Sequence, residues 1–199
     1  MNPNANRDMV FKAGEGAGAS GSFFFFSHDK RFIIKTMSKS ELSMFLDLLP
    51  YYELHLKENQ DSLISRIYGV YTIHMKGIAT VHLMLMANTL NFRDTSRIQR
   101  IFDIKGSFVS RKVGITPTTK STATLKDTDY LQVQRDDDLF NFMPEDMRML
   151  RRVCSADVNF LRRHGIMDYS LLLSAEKIGN AFEEDDKKKK VKETSPEKV

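Results

Sequence analysis

The chain has 199 residues, 41% of them hydrophobic and 28% charged, proportions typical of a soluble globular protein with one domain or two small lobes. Its apolar runs are far shorter than a membrane span, and the N-terminal segment lacks the layout of a signal peptide. The single cysteine, Cys154, excludes an internal disulfide and a cysteine-based metal site, which fits a reducing compartment. We therefore expect a cytoplasmic protein. The formal net charge of the chain is +4.

The first motif is a glycine-rich stretch, GEGAGASGSFFFFSHDKRFIIKT, at residues 14–36. Three of its glycines fit G-x-G-x-x-G, a pattern found in dinucleotide-binding turns and in the phosphate-covering loops of kinases. Aromatic or β-branched runs at 23–26 and 32–36 predict a β-hairpin after the loop, not a helix. Lys35 lies on the second strand, where nucleotide phosphates would supply an anionic partner. Alone, the glycine pattern is explained by a flexible turn and Lys35 by a solvated edge residue. The glycine pattern, the hairpin and the lysine together, in this order, favour the kinase loop.

Residues 38–59 predict a helix. Ser38 and Glu41 have the spacing of a capping box at its start. Pro50 should kink or restart the helix, because proline lacks a backbone donor. The predicted buried stripe comprises Leu42, Phe45, Leu46 and Leu49.

Three strands are predicted next, at residues 67–73, 78–86 and 101–105. With the hairpin they predict an antiparallel sheet with a helix packed on it. Residues 114–138 are rich in Thr, Ser, Lys and Asp and predict a long loop.

A second helix is predicted to begin at Pro144, a residue suited to the first helical turn, and to end near Gly165. Its buried face should comprise Met147, Leu150, Cys154, Phe160 and Leu161. The segment IMDYSLLLSA predicts a turn that leads into a buried strand. The final charged stretch has too few apolar residues to offset the entropy of ordering, so we expect disorder there.

Cationic side chains cluster between residues 93 and 120 and again between 148 and 163. Such clusters suit a phosphorylated ligand or an anionic membrane surface, and mixed charge on exposed faces is an equally good explanation. The lysine run of the tail is better explained as a solvated segment than as a site for nucleic acid.

Few polar residues have a spacing that suggests a catalytic or ligand-binding site. Asp168 stands at a boundary before an apolar strand, where it either caps a turn or points into a cleft. Asp103 and Lys105 alternate along a strand and share a face, with Arg111 nearby. An exposed ion pair is the plainer explanation for them. The histidines lack metal-ligand spacing.

Four ordered motifs carry a resemblance to a known family: GASGSFFFFSHDKRFIIKT, FDIKGS, TLKDTDYL and IMDYSLLL. They resemble the Gly-Lys-Ser-Gly-Ser loop, Ile-Lys-Thr strand, Asp-Leu-Lys-Gly-Ser and Met-Asp-Tyr-Ser-Leu-Leu segments of the phosphatidylinositol phosphate kinases. The resemblance covers roughly residues 10–175.

The resemblance implies an α+β fold, the lipid-kinase variant of the two-lobed kinase plan. It predicts an antiparallel N-terminal sheet with a packed helix and an incomplete C-terminal lobe. It divides the chain into an N-terminal tail (1–9), a kinase domain (10–175) with its N-lobe extending to about residue 113, and a disordered tail (176–199).

The resemblance also implies roles for individual residues. ATP phosphates would be covered by Gly18, Ser20, Gly21 and Ser22 and paired with Lys35. The adenine would be flanked by Met86, Asn88 and Leu90, because LMLMANTL resembles the hinge. The lipid headgroup or the transferred phosphate would lie by Lys105, supported by Asp103 and Arg111. Asp168 resembles the catalytic aspartate that orients or accepts the inositol hydroxyl proton.

The implied cofactors are ATP and Mg²⁺, and the implied partner is a phosphoinositide on the cytoplasmic face of a membrane, with homodimerisation left open. Ala19 stands where the family has a loop lysine, and Ile104 where it has leucine. The family's magnesium-binding Ile-Ile-Asp segment and its basic activation loop are not among these 199 residues. We therefore expect little activity from this stretch alone, and an inactive kinase-like binding or scaffold module is the alternative.

Overall fold

The computed structural model describes residues 14–15, 22–92, 94–137 and 139–177. The predicted first tail and nearly all of the last one lie outside these residues. The described residues form two compact units. The first contains the residues up to Asn91 together with Asn141–Tyr169, and the second contains Phe92–Phe140 and the residues from Ser170 onward.

Eight strands and three α-helices make up the described chain. The strands are β1 (Gly14–Glu15), β2 (Phe23–Phe26), β3 (Phe32–Met37), β4 (Ile67–Met75), β5 (Ile78–Ala87), β6 (Ile98–Ile104), β7 (Thr124–Leu125) and β8 (Leu171–Glu176). The helices are α1 (Lys39–Glu58), α2 (Asp127–Asp137) and α3 (Pro144–Arg163). Among the described residues, no helix is both long and apolar enough to cross a membrane.

The first unit is built on an antiparallel sheet with strand order β1-β2-β3-β5-β4. The predicted hairpin is confirmed as β2 and β3. Its turn is closed by Asp29, whose carboxylate accepts hydrogen bonds from the Ser27 hydroxyl and the Arg31 backbone N–H. Lys30 takes a left-handed conformation in this turn, with φ of 56°.

Helix α1 begins with the predicted capping box. The Ser38 hydroxyl accepts from the Glu41 N–H at 3.2 Å, and the Glu41 carboxylate accepts from the Ser38 N–H at 2.7 Å. Pro50 lies inside one uninterrupted helical span, so the expected restart does not occur.

The buried face of α1 differs from the prediction. Leu46 and Leu49 are 48% and 39% exposed, whereas Phe45 is buried as expected. Tyr52 and His55 complete the buried face. The Tyr52 hydroxyl donates to the Ser65 carbonyl and accepts from the Ile67 N–H, both at 2.9 Å, so polar anchoring turns this face inward.

A buried polar contact joins α1 to α3. The Asn59 amide nitrogen lies 3.3 Å from His55 Nδ1 and donates to it, so we assign the ring proton to the other nitrogen, Nε2. Nε2 then donates to Asp157 Oδ1 at 2.7 Å. The other Asp157 oxygen accepts from the Leu63 N–H, and the imidazole stacks on Phe160. Pro144 occupies the first turn of α3, as predicted.

The buried face of α3 also differs in part from the prediction. Met147 is 41% exposed, Leu150, Cys154 and Leu161 are half-buried, and Phe160 is buried as expected. Val153 and Asp157 join Phe160 on the buried face. Asp157 was passed over because a charged residue breaks an apolar stripe in the sequence.

The second unit contains a three-stranded sheet with order β7-β6-β8. Strand β6 pairs parallel with β7 and antiparallel with β8, so it does not extend the N-terminal sheet as expected. Phe102, Leu125 and Val133 form its core.

The prediction of a long loop over 114–138 is wrong, because this segment contains β7 and α2. Leu125, Tyr130 and Val133 are spaced to pack on Phe102 of β6, and the Tyr130 ring meets Phe102 edge-on at 5.4 Å. This tertiary packing stabilises a helix whose polar composition predicts none.

Candidate functional site

The strand lysine singled out from the sequence lies at the centre of the first sheet. Lys35 in β3 pairs with Phe24 of β2 on one side and with Met84 of β5 on the other. Its ammonium lies 3.3 Å from Glu41 Oε1, in the first turn of α1. The side chains are 27% and 33% exposed, so solvent and a ligand can reach the pair.

Glu41 connects this lysine to the helix cap. One carboxylate oxygen accepts from the Ser38 N–H and the other from the Lys35 ammonium. The hydrogen bond from the Ser38 backbone is the largest cause that lowers the pKa of Glu41, and the charge of Lys35 adds to it. The ionised carboxylate therefore holds the Lys35 ammonium against the first turn of α1.

The predicted hinge lies where β5 ends. Met86 pairs with Ile33 of β3 and with Ile67 of β4, so its position is set on both sides. The Asn88 amide nitrogen donates to the Lys30 carbonyl at 2.7 Å, and its oxygen accepts from the Leu90 N–H at 3.1 Å. Asn88 thus ties the hinge segment to the β2–β3 turn.

The glycine-rich loop is only partly described. Gly18, Ser20 and Gly21 lie outside the described residues. Ser22, which directly precedes β2, is 8% exposed. The predicted phosphate-covering role of these residues stays a prediction.

The second unit contains the predicted headgroup-binding residues. Two of them, Asp103 and Arg111, form an ionic cluster with Asp127. Arg111 is 9% exposed. Its Nε donates to Asp127 Oδ2 at 2.7 Å, and its Nη2 donates to Asp103 Oδ2 at 3.0 Å and also to the Asp103 carbonyl. The guanidinium is thus engaged by two carboxylates, and its predicted contact with substrate stays a prediction.

Asp127 also fixes the turn after β6. Its Oδ1 accepts from the backbone N–H groups of Lys105 at 3.0 Å and Gly106 at 2.7 Å. Burial alone would raise the pKa of Asp127, but the hydrogen bonds from Arg111 and from these backbone groups outweigh it and lower the pKa. Lys105 follows the last residue of β6 directly and is exposed.

Asp129, two residues after Asp127 in the first turn of α2, is fully buried, with 0% exposure. Its carboxylate accepts from the N–H groups of Val113, Gly114 and Lys126 at 2.9–3.1 Å. Burial again opposes ionisation, and the three hydrogen bonds still lower the pKa of the carboxyl.

Asp168 lies in the first unit, just after α3. It is exposed and has φ of 60°, in the left-handed region that few residues other than glycine and asparagine or aspartate adopt. Its catalytic role and the alternative of a turn-capping aspartate both stay predictions.

A cavity of about 620 Å³ lies elsewhere in the first unit, between α1 and the residues that follow α3. Its lining includes Met44, Tyr51 and His164, but none of the predicted site residues. We therefore place the candidate site at the Lys35–Glu41 pair and not in this cavity. The described part of the chain contains no group of three or more His, Cys, Asp or Glu residues that could hold a metal ion.

Comparison with known proteins decides the family. The family model described as Phosphatidylinositol-4-phosphate 5-Kinase matches residues 6–199. This chain belongs to the phosphatidylinositol-4-phosphate 5-kinase family. The resemblance found in the sequence and the α+β fold class are thereby confirmed.

Individual relatives agree with this family assignment. The chain is 36% identical over 160 residues to a phosphatidylinositol 4-phosphate 5-kinase of Plasmodium falciparum and 39% identical over 160 residues to phosphatidylinositol 4-phosphate 5-kinase 1 of Arabidopsis thaliana. It is 34% identical over 167 residues to the human type-1 beta enzyme. These matches cover 78%, 78% and 84% of this chain but only 9%, 20% and 30% of the relatives.

Sequence reasoning about this kinase-family chain missed the partners of the predicted residues. Glu41 was seen only as a helix cap, although its position six residues after Lys35, at the start of the next helix, could have suggested an ion pair. Asp127 and Asp129, within TLKDTDYL, were counted as loop residues. Their spacing gave no signal of the contacts with residues 105–114, which lie in a different part of the chain.

Proposed function

We propose that this chain forms the nucleotide-binding part of a lipid kinase that transfers the γ-phosphate of ATP to a phosphatidylinositol phosphate. Phosphatidylinositol 4-phosphate, which the names of the relatives specify, is the proposed acceptor. The observation that carries the proposal is the Lys35–Glu41 pair, since kinases hold the phosphate-binding strand lysine with a helix glutamate.

Lys35 and Glu41 have separate roles in this proposal. Lys35 neutralises the α- and β-phosphates, and Glu41 keeps its ammonium from moving away from them. Met86, Asn88 and Leu90 flank the adenine. The backbone contacts of Asn88 would keep this segment in place when the nucleotide binds.

The acceptor hydroxyl requires a base and a phosphate-neutralising cation. Asp168 would accept or orient the hydroxyl proton as the inositol oxygen bonds to the γ-phosphorus and the bond from that phosphorus to the β–γ bridging oxygen breaks, which releases ADP. Lys105 would neutralise the transferred phosphate. The described residues do not provide a carboxylate cluster for Mg²⁺. We further propose a location on the cytoplasmic face of a membrane, with dimerisation to be tested by light scattering.

Transfer of labelled phosphate from ATP to phosphatidylinositol 4-phosphate tests the proposal. These 199 residues alone should label the lipid little. A protein that also contains the family's Ile-Ile-Asp segment and basic activation loop should label it, and the Asp168→Asn variant of that protein, which keeps the Lys35–Glu41 pair, should serve as the blank. ATP binding without transfer in either protein would instead indicate a nucleotide-binding module without turnover.

A further inference from the structure

The loop between β6 and β7 presents an exposed apolar tip. Phe108 is 71% exposed and the adjacent Val109 is 83% exposed. Val113, close by in the sequence, is 52% exposed. Single exposed apolar side chains are common, but consecutive large ones on a loop indicate a contact surface.

Both ends of this loop are held by the first turn of α2. Asp127 accepts from the N–H groups of residues 105 and 106, and Asp129 accepts from those of residues 113 and 114. Gly106 and Gly114 have φ of 72° and 87°, which glycine adopts without strain, so the chain turns sharply at both anchors. The tip is thus short and fixed, and little conformational entropy is lost when it makes a contact.

The charge around the tip identifies the surface that it would contact. Lys105 and Lys112 are exposed on either side of Phe108 and Val109, and the segment 105–114 contains no acidic residue. Arg111, in contrast, is buried and paired with the carboxylates of Asp103 and Asp127. Apolar side chains flanked by lysines match the interface of an anionic bilayer, where acyl chains lie just below acidic headgroups.

A protein partner fits this tip less well. A stable protein interface buries on the order of 1,000 Å² or more, far more than two or three side chains provide. Insertion into a bilayer interface needs only a few apolar side chains that enter by several ångströms.

We propose that Phe108 and Val109 insert into an anionic membrane surface, with Lys105 and Lys112 against the headgroups. The proposal rests on the proposed function only in that the substrate is a membrane lipid. It can therefore be tested without nucleotide and without phosphoinositide.

The chain contains no tryptophan, so one introduced residue reports its own surroundings. A Phe108→Trp variant is mixed with vesicles of phosphatidylcholine and phosphatidylserine, and with matched vesicles that carry brominated acyl chains. Its emission should shift to shorter wavelength and be quenched by bromine. Leu131→Trp, on α2 in the same unit and 44% exposed, is the control and should show neither effect.

Vesicle binding by the double variant Phe108→Ser, Val109→Ser provides a second measurement. Binding should weaken by about tenfold while the thermal unfolding temperature stays unchanged, because both side chains are exposed. Lys112→Glu should weaken binding further at low salt.

Three results would overturn the proposal. The first is vesicle binding without a spectral change at the tip, which would place the contact elsewhere on the chain. The second is a spectral change that depends on protein concentration without vesicles, which would identify a second copy as the partner. The third is no binding at low salt; intact ATP binding in that case would leave the proposed function standing.

Discussion

His55 Nε2 lies 2.7 Å from Asp157 Oδ1, and this contact joins two helices whose contributing residues are 102 positions apart in the chain. Asp157→Ala should leave the buried imidazole N–H and the partly buried Leu63 N–H without an acceptor. We expect the free energy of unfolding to fall by about 3 kcal/mol, since each unsatisfied buried group costs about 1–3 kcal/mol. Chemical denaturation measures the change.

The exposed pair of Arg152 and Asp61 is the matched control for this experiment. Their atoms lie 3.3 Å apart, but the side chains are 71% and 63% exposed. Arg152→Ala should therefore lower the free energy of unfolding by less than about 1 kcal/mol. Equal losses in the two variants would show that burial does not strengthen the contact between His55 and Asp157.

The second prediction concerns the charge of Lys35. Lys35→Met should weaken ATP binding by about tenfold or more, since a hydrogen bond to a charged group contributes about 1.5–3 kcal/mol. Lys57→Met, at an exposed helix lysine paired with Glu53, should leave the affinity unchanged. Calorimetric titration with ATP distinguishes the two, and unchanged binding in the Lys35 variant would remove Lys35 from the nucleotide site.

Glu41→Gln separates the ion pair from the helix cap. Glutamine can still accept the Ser38 N–H, so the capping box is preserved, but the negative charge beside Lys35 is lost. We expect ATP affinity to fall less than in Lys35→Met, with little change in unfolding temperature. A large fall in thermal stability would instead assign Glu41 a mainly structural role.

Asp168 should affect transfer without affecting nucleotide binding. Asp168→Asn removes the base but keeps the size of the side chain, and asparagine tolerates the left-handed backbone at this position. In a protein that also contains the family's Ile-Ile-Asp segment and activation loop, we expect the rate of lipid phosphorylation to fall by about a hundredfold or more, the usual range for a positioned acid–base group. Parallel loss of ATP affinity would indicate that Asp168 only shapes the turn.

Asp129 should make the stability of the second unit depend on pH in the acidic range. Its pKa is lowered below the ordinary value of 3.8, so the folded state binds fewer protons than the unfolded state as the pH falls through that value. The stabilisation is therefore complete above about pH 4 and is lost below it.

Asp129→Asn should lower the free energy of unfolding by about 2 kcal/mol at neutral pH, because the buried amide offers fewer acceptor sites to the three backbone N–H donors. The stability of this variant should also vary less with pH below about pH 4. Asp136→Asn, on an exposed position of the same helix, is the control. Identical pH profiles for Asp129→Asn and wild type would contradict the assignment.

Features that depend on short stretches of chain followed from the sequence. The β2–β3 hairpin, the Ser38–Glu41 capping box and the first-turn Pro144 were all predicted, since each depends on residues within a few positions of one another. The family was also recognised from motifs that are short and ordered. Such local preferences are visible without any knowledge of the tertiary contacts.

Long-range contacts decided what the sequence left open. Helix α2 forms in a polar segment because Val133 packs on a core strand and Asp129 accepts N–H groups about fifteen residues away. Arginine is usually a surface residue, yet Arg111 is buried and paired with Asp103 and Asp127. A buried charge is stable only with partners in place, and a pattern read along one chain does not show which partners the fold brings together.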